Sequence, residues 1–402
     1  MHVPFIIAEL ERLSCDESSR VRARQRAQLF REICLMPQPS RRALIRRLGL
    51  RSSTVSSVLD DLIDSRLVRE AGPVSGNDRG RPRLILAPEM NSRVAISVYV
   101  EHLTLCGGMV NLAEHVLGEQ QIALSKSAGP AEFLTAFETL VASLWRFAPA
   151  EAEILGVAFS PVGAVDRQNC RWVMCNRWPA IHDVDFAPLQ RKLGLPVIVR
   201  RNLETILDYE VQTSVEYQDS KVALFHWGYG VGSAYSHHGE VLETERGNYS
   251  GVGHTVINPL STKRCQCGAL GCLEAEAAIW ALLPRFKEIE PGVREEDDGY
   301  YELLSRSLFR DIAFLREAVG AARIGLHNLC KMLSPDYVLF LSPFASNPGL
   351  TKLLQECVES SFPHEVHYEP AFRVVGGSFR GCLFANVYPL FRTELRKLIA
   401  GE

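Results

Sequence analysis

Arg264-Cys265-Gln266-Cys267-Gly268-Ala269-Leu270-Gly271-Cys272-Leu273-Glu274, with His254 ten residues upstream, is the stretch on which the reading of this chain turns. Three thiols within eight residues and an imidazole within loop reach supply the four ligands that a tetrahedral structural Zn²⁺ takes. Gly268 and Gly271 let the backbone curl round an ion without Cβ clashes. The competing reading is a set of unrelated buried thiols, since free cysteine is among the most buried residue types. Of eleven cysteines spread from Cys15 to Cys382, however, only these three cluster. The stretch therefore reads as a Cys₃His zinc knuckle over residues 254–272, with His254, Cys265, Cys267 and Cys272 as ligands. Protein groups fill all four positions of the tetrahedron, so the metal is expected to be structural, not catalytic.

Outward from the knuckle, a chain of 402 residues is too long for one small core and implies two or three domains. Hydrophobic content of 47% and charged content of 23% are those of an ordinary soluble protein. No apolar run has the length of a membrane span, and Met1 to Leu13 carries Glu9 and Glu11 inside its apolar stretch. An odd cysteine total with a Cys-x-Cys cluster suits a reducing compartment, so the expected location is the cytoplasm. Net charge is −3, but it is unevenly placed: residues 1–90 hold 16 Arg, no Lys and 11 acidic residues, a net of +5, and the rest carries −8.

The basic segment has the order of a winged helix-turn-helix. An Arg-rich helix begins near Arg20, carries the apolar stripe Leu29, Phe30, Ile33 and Leu35, and is ended by Pro37 and Pro39. Ser40 stands as N-cap of a short helix over 41–48, and Gly49 breaks it. A second short helix from about Ser52 to Ser65 points Val55, Val58, Leu59 and Leu62 inward. Arg51, Ser53, Thr54, Ser56 and Ser57 are left to meet a major groove. Strands at 67–70 and 83–86 flank a Gly/Pro/Asn/Asp turn region, which makes a hairpin wing with Arg79, Arg81 and Arg83 for phosphates or a narrow minor groove. Basic runs are usually solvated faces; here the coincidence of five signals in order favours double-stranded DNA as partner.

Residues 1–90 are thus expected to be a DNA-binding domain. Residues 91–402 change to an α/β pattern, with paired strands over 94–100 and 103–110 and a helix over 133–147. Buried strands follow at 154–159, 196–199 and 222–226, then a Gly228-x-Gly230-x-Gly232 loop, late strands at 337–341 and 373–377, and helices over 278–286, 308–333 and 381–398. Trp172, Trp178 and Trp227 are expected in the core.

The Cys-x-Cys-Gly-x-x-Gly-Cys-Leu-Glu stretch preceded by Gly253-His254 resembles the zinc signature of the ROK family (repressor, open reading frame, kinase). The order of Leu193-Gly194-Leu195-Pro196-Val197, a helix ending at Glu210 and the glycine loop is similar to that family over roughly residues 20 to 395. The resemblance implies a two-lobed, actin-like (ribonuclease-H-like) fold with a sugar in the cleft and, in kinase members, ATP beside it. Residue by residue it also argues against phosphoryl transfer. The family's Asn-Asp pair, whose Asp is the general base, falls on Arg201 and Asn202, and an amide cannot take a proton. The Asp-x-Gly-x-Thr phosphate strand falls on Ser97-Val98-Tyr99-Val100-Glu101, where a phenol is expected in place of the glycine. The family's Gly-Gly near the nucleotide falls on Leu341-Ser342-Pro343. Only Glu204, Asp208 or Glu274 would remain as a base.

Of the family's sugar contacts His254 and Glu274 match, and Arg201 and Asn202 stand at the altered pair, so these four are the expected ligand-binding residues. Two readings of Arg201 stand at this level: anchor for an anionic effector such as a sugar phosphate or sugar acid, or partner of a nearby acid such as Glu204. The resulting expectation is a DNA-binding transcriptional regulator, a repressor of carbohydrate-related genes, acting as a homodimer on a pseudo-palindromic operator. A sugar-type effector or a protein partner would control it. The alternative is a sugar kinase with a DNA-binding appendage.

Overall fold

The computed structural model describes residues 4–73, 84–175, 177–243, 251–293, 312–363, 368–376 and 379–401. It opens with a helix absent from the sequence reading. Helix α1 (Phe5–Cys15) buries Phe5, Ile6 and Leu10 together with the carboxylate of Glu9. Helix α2 (Val21–Leu35) follows, then α3 (Arg41–Leu48) and α4 (Ser52–Asp64). Ser40 caps α3 as expected, its hydroxyl accepting from the Ala43 amide at 3.3 Å, and Gly49 ends it in the left-handed region at φ 66°. Val55, Val58, Leu59 and Leu62 of α4 are all buried. Strands β1 (Val68–Pro73) and β2 (Leu84–Pro88) pair antiparallel as the base of the wing. Its tip, with Arg79, Arg81 and Arg83, lies outside the described residues.

The first lobe is a five-stranded sheet in the order β10-β6-β3-β4-β5. It is built from β3 (Arg93–Glu101), β4 (Thr104–Asn111), β5 (Val116–Ala123), β6 (Glu153–Ser160) and β10 (Val197–Val199). Strand β3 reads Val-Ala-Ile-Ser-Val-Tyr-Val without alternation because both of its faces are covered. Helix α5 (Pro130–Trp145) packs on one face. A small three-stranded sheet, β7 (Ala164–Asp166), β8 (Arg171–Met174) and β9 (His182–Asp185), forms a flap that closes the same core. Trp172 and Trp178 are fully buried there, as expected, and their indole N–H groups donate to the carbonyls of Val162 (2.9 Å) and Ser125 (2.8 Å). Helix α6 (Ala187–Leu193) leads into β10, and α7 (Asn202–Thr213) with the single turn α8 (Val215–Gln218) crosses to the second lobe.

The second lobe repeats the plan with the order β13-β12-β11-β14-β15. Its strands are β11 (Lys221–Trp227), β12 (Val231–His237), β13 (Glu240–Val241), β14 (Tyr337–Leu341) and β15 (Ala371–Val374). The glycine stretch is less of a loop than expected: the chain turns within 228–230, and Val231, Gly232 and Ser233 are already strand, paired with Trp227, His226 and Phe225. Helices α9 (Leu273–Ala277), α10 (Ile279–Ile289), α11 (Ala313–Leu333) and α12 (Pro348–Glu359) cover this sheet.

Helix α13 (Phe379–Ala400) then returns to the first lobe. Asn386 fixes it there, with Nδ2 donating to Ser97 Oγ (3.1 Å) and to the carbonyls of Val98 (3.1 Å) and Ala158 (2.8 Å). Its far half packs on the helix-turn-helix head. Leu383, Leu395 and Ile399 share one apolar cluster with Leu10, Leu29, Phe30 and Leu62. Phe5 stacks on Tyr388 at 4.1 Å, and Glu9 accepts from Arg392 (3.2 Å) and Arg396 (3.1 Å). The carboxylate of α1 is thus buried as one member of an ion cluster, the condition under which a buried charge is tolerated.

Candidate functional sites

On the head, helix α4 presents the small polar face its sequence implies. Arg51 and Ser53 are exposed, Thr54 and Ser56 are half-buried, and Ser57 is exposed but accepts from Arg22 Nη2 at 2.8 Å. Two of the three acidic residues of the helix, Asp60 and Asp61, are held by arginines of the neighbouring helices. Asp61 accepts from Arg22 (2.6 Å) and Arg26 (2.7 Å), and Asp60 from Arg41 (3.0 Å). Burial pushes the Asp61 carboxyl up, but the bonds from Arg26 and Arg22 outweigh it and hold it below its usual value. These pairs offset the charge of Asp60 and Asp61; Asp64, in the last turn of α4, is exposed. Arg42 and Arg46 on α3 add exposed cations that the sequence reading did not single out.

The four residues of the knuckle converge. One donor atom from each of His254, Cys265, Cys267 and Cys272 lies within 4.8 Å of every other. Cys265 Sγ is 3.4 Å from His254 Nδ1, and Cys267 Sγ is 3.7 Å from Cys272 Sγ. Donors bound at about 2.0–2.3 Å to a tetrahedral Zn²⁺ stand roughly 3.5–3.8 Å apart, so the cluster has the dimensions of such a site. Backbone pairing closes the loop: Val256 bridges Cys272, Arg264 bridges Leu270, and the Ile257 amide donates to the Gly271 carbonyl at 3.0 Å. Gly271 is obligatory there, since at φ 70° a Cβ would lie 1.9 Å from the Asn258 carbonyl oxygen. Burial raises the Cys265 thiol to about 12. Burial is the largest single influence on Cys267 and pushes its thiol up, but the Ala269 amide and the Cys265 and Cys272 thiols together outweigh it and hold it below its usual value. The group can hold a metal ion, with one thiol predisposed to lose its proton first.

His254 also lines the cleft between the lobes, a cavity of about 320 Å³. Asn202, Arg201 and Glu274 line it too, so all four residues expected at a ligand site are brought together. Their engagements differ. Arg201 at the start of α7 is buried and forms an ion pair with Glu204 at 3.3 Å, and its Nη2 donates to the Ser233 carbonyl. Burial pushes the Arg201 guanidinium down and the Glu204 carboxyl up, while each charge favours the other. Of the two readings of Arg201, the pairing with Glu204 is the arrangement found. Glu274 is buried as well; Oε2 accepts from the Val231 amide (3.2 Å) and Oε1 from Trp280 Nε1 (3.3 Å), so it braces the glycine turn. Asp208, the third carboxylate near the cleft, accepts from Arg200 at 2.8 Å and from Gln212.

One expectation about the cleft fails. Tyr99 does not reach into it but packs on the α13 side of β3; Val100, Glu101 and His102 face the cavity instead. Both faces of β3 are buried, so periodicity could not assign the ring to a side. Pro343 does line the cleft, opening a 3₁₀ turn (Pro343–Ser346) after β14. Two residues that sequence reasoning passed over complete the wall. Arg177 of the flap lies 4.6 Å from the ring centroid of Tyr229 in the second lobe and 3.2 Å from His102 Nδ1 in the first.

The architecture defines a two-lobed, actin-like protein with a helix-turn-helix head, a Cys₃His cluster and a cleft shared with that cluster. The chain belongs to the ROK family, which residues 103–376 match. It is 25% identical over 358 residues, 82% of its length and 86% of the other's, to a protein named putative xylose repressor from Caldicellulosiruptor sp. (strain Rt8B.4). It is 23% identical over 265 residues, 63% of each chain, to the DNA-binding transcriptional repressor Mlc of Escherichia coli (strain K12). The solved structure of a ROK family transcriptional regulator, a homologue of that Mlc protein, superposes with a TM-score of 0.71 at 17% identity, covering 95% of this chain and 100% of the other. A ROK hexokinase from Thermus thermophilus superposes at 0.59 and 20% identity, covering 73% of this chain and 97% of its own. Among the described residues, no helix is long and apolar enough to cross a membrane.

Proposed function

We infer that the chain is a sugar-responsive transcriptional repressor and not an enzyme. The observation that carries this reading is the head itself: α4 offers a small polar face, with Asp60 and Asp61 paired to arginines, beside exposed arginines, on a family fold whose repressor members align with most of this chain. The kinase alternative needs a carboxylate base in the cleft. Glu204, Asp208 and Glu274 are each engaged by an arginine, an amide or an indole, and Asn202 stands where the family's acid would be.

In this reading residues 1–90 bind DNA and 91–402 regulate. Arg51, Ser53, Thr54, Ser56 and Ser57 face the major groove, and Arg79, Arg81 and Arg83 of the wing take the flanking groove. A homodimer matches half-sites about 34–36 Å apart. His254, Cys265, Cys267 and Cys272 hold one structural Zn²⁺, which fixes the knuckle against α9. The effector sits against Asn202, His254 and Glu274, with Arg201, paired to Glu204, as part of the same wall. The protein works in the cytoplasm.

Selection of random double-stranded DNA by the zinc-loaded protein at two salt concentrations tests this. An enriched inverted repeat is expected. Binding without sequence preference, whose affinity simply falls with salt, would overturn it, as would ATP consumption in the presence of hexoses or amino sugars.

A further inference from the structure

The glycine turn works as a ruler along the cleft. At its first residue, Gly228, a Cβ would touch His226 and come within 3.5 Å of Pro343. Tyr229 follows, under the guanidinium of Arg177. Gly230 and Val231 stand against Glu274, and Gly232 against Leu203. The cavity therefore has two chemically distinct ends. Towards Glu274, His254 and Asn202 it offers hydrogen-bonding groups; towards Tyr229, Leu341 and Pro343 it offers an aromatic ring and aliphatic surface, beside His226 and Ser342, which are engaged with the Leu341 and Trp227 carbonyls. Val162 and Met174 of the flap add more apolar surface to its wall.

Most of its charged groups are engaged within the wall, and the Glu101 carboxylate adds a further negative charge there. Arg201 is paired with Glu204, Glu274 is bound by two N–H donors, and Arg177 is engaged with Tyr229 and His102. A phosphate or carboxylate entering this space would have to compete with these arrangements, give up part of its own hydration and approach the Glu101 and Glu274 carboxylates, each of which is unfavourable. A free monosaccharide leaves the other end unfilled, and hydroxyls placed against Leu341, Pro343, Val162 and Met174 would find no hydrogen-bond partner on those side chains.

We propose that the cleft takes an uncharged glycoside with an apolar or aromatic aglycone. The sugar ring lies against Asn202, His254 and Glu274, and the aglycone against Tyr229, Leu341 and Pro343. This deepens the regulator reading and rests on it for where the sugar ring sits and for the consequence of binding; the aglycone end is argued from the wall alone. Aromatic and aliphatic walls favour a flat hydrophobic group through burial of its surface, while the few polar groups orient the ring.

The experiment is calorimetry on the zinc-loaded full chain with three forms of each of several pentoses and hexoses: free sugar, methyl glycoside and phenyl glycoside. The 6-phosphate of each hexose completes the series. For at least one sugar the phenyl glycoside is expected to bind about tenfold or more tightly than the methyl glycoside. Tyr229→Ala should shrink that ratio towards one, by weakening the phenyl glycoside more than the methyl glycoside; an unchanged melting temperature and metal content show that the variant is folded. Equal affinities across each series, tighter binding of a sugar phosphate, or no binding by any member overturns the proposal. The regulator reading is judged separately, by capture of an inverted repeat without added ligand. Loss of that capture with phenyl glycoside binding intact would remove the regulator reading alone.

Discussion

Arg93 and Ser65 join the first lobe to helix α4 of the head. The Arg93 guanidinium, at the start of β3, donates through Nη2 to the Ser65 carbonyl just past the end of α4, at 3.2 Å. The same group pairs through Nε with Glu394 of α13 and Glu153 of β6, each at 3.3 Å. A cation at a helix C-terminus also meets the negative end of its dipole. Arg93 is thus where head, sheet and C-terminal helix are held together.

Replacing it by an apolar residue of similar length, Arg93→Met, leaves the Glu394 carboxylate and the Ser65 carbonyl without their shared donor. The expected loss is about 2–4 kcal/mol in urea unfolding, with partial recovery in Arg93→Lys. A denaturation curve that coincides with that of the parent protein would mean the joint is only geometric.

The knuckle makes a prediction about composition. The purified protein should carry one zinc per chain by elemental analysis, and Cys267→Ser should lose it and melt at lower temperature although Cys267 is exposed and touches no core. Stripping the parent with a chelator should produce the same shift. Unchanged melting after complete removal would show that the backbone pairing of the loop suffices.

Two glycines of the same loop separate strain from collision. Gly268 has φ 94° with open space around its missing Cβ, whereas Gly271 has φ 70° and the Asn258 carbonyl oxygen 1.9 Å away. Gly268→Ala should cost about 1 kcal/mol and keep the metal. Gly271→Ala should lose both metal and local structure, read as zinc content and proteolysis of the loop. Equal behaviour of the two would contradict the geometry.

Acid should act on the head through Asp61. Its carboxyl titrates below its unfolded value of about 3.9 because of Arg26 and Arg22, so the stability it contributes is complete above that pH and is lost as pH falls through the lower, folded value. Asp61→Asn should therefore destabilise by about 1 kcal/mol at pH 7, a figure reduced for its partial exposure, and the deficit should vanish in strong acid. Melting temperatures of both proteins between pH 7 and pH 2.5 decide it; a deficit that persists at the acid end would assign the loss to packing.

The parts of this molecule legible in sequence are those whose chemistry is local. The three thiols lie within eight residues, the Ser40 cap and the Gly49 stop bracket one short helix, and the tryptophans of the flap are large enough to demand burial. What escaped depends on distant partners. Glu9 looks like a surface residue until Arg392 and Arg396 are brought to it. The flap strands are three or four residues long, too short for alternation to register. Arg201 had two chemically reasonable fates, and only the position of Glu204 on the next turn of α7 distinguishes them. Arg177 carries no motif at all; its place over Tyr229 follows from how the flap folds across the cleft.

The packing of α13 on the head has a consequence for the order of events on the ribosome. Leu29, Phe30 and Leu62 leave the exit tunnel more than three hundred residues before Leu395 and Ile399, which complete their cluster. Most N-terminal domains can settle while the rest is still being made. Here a nascent chain that stops short of residue 379 presents a head with an open apolar flank and Glu9 without its two C-terminal arginines. Truncated products should then be substrates for chaperones and proteases before they can compete for an operator, so the fold checks that translation has run through before the head is finished.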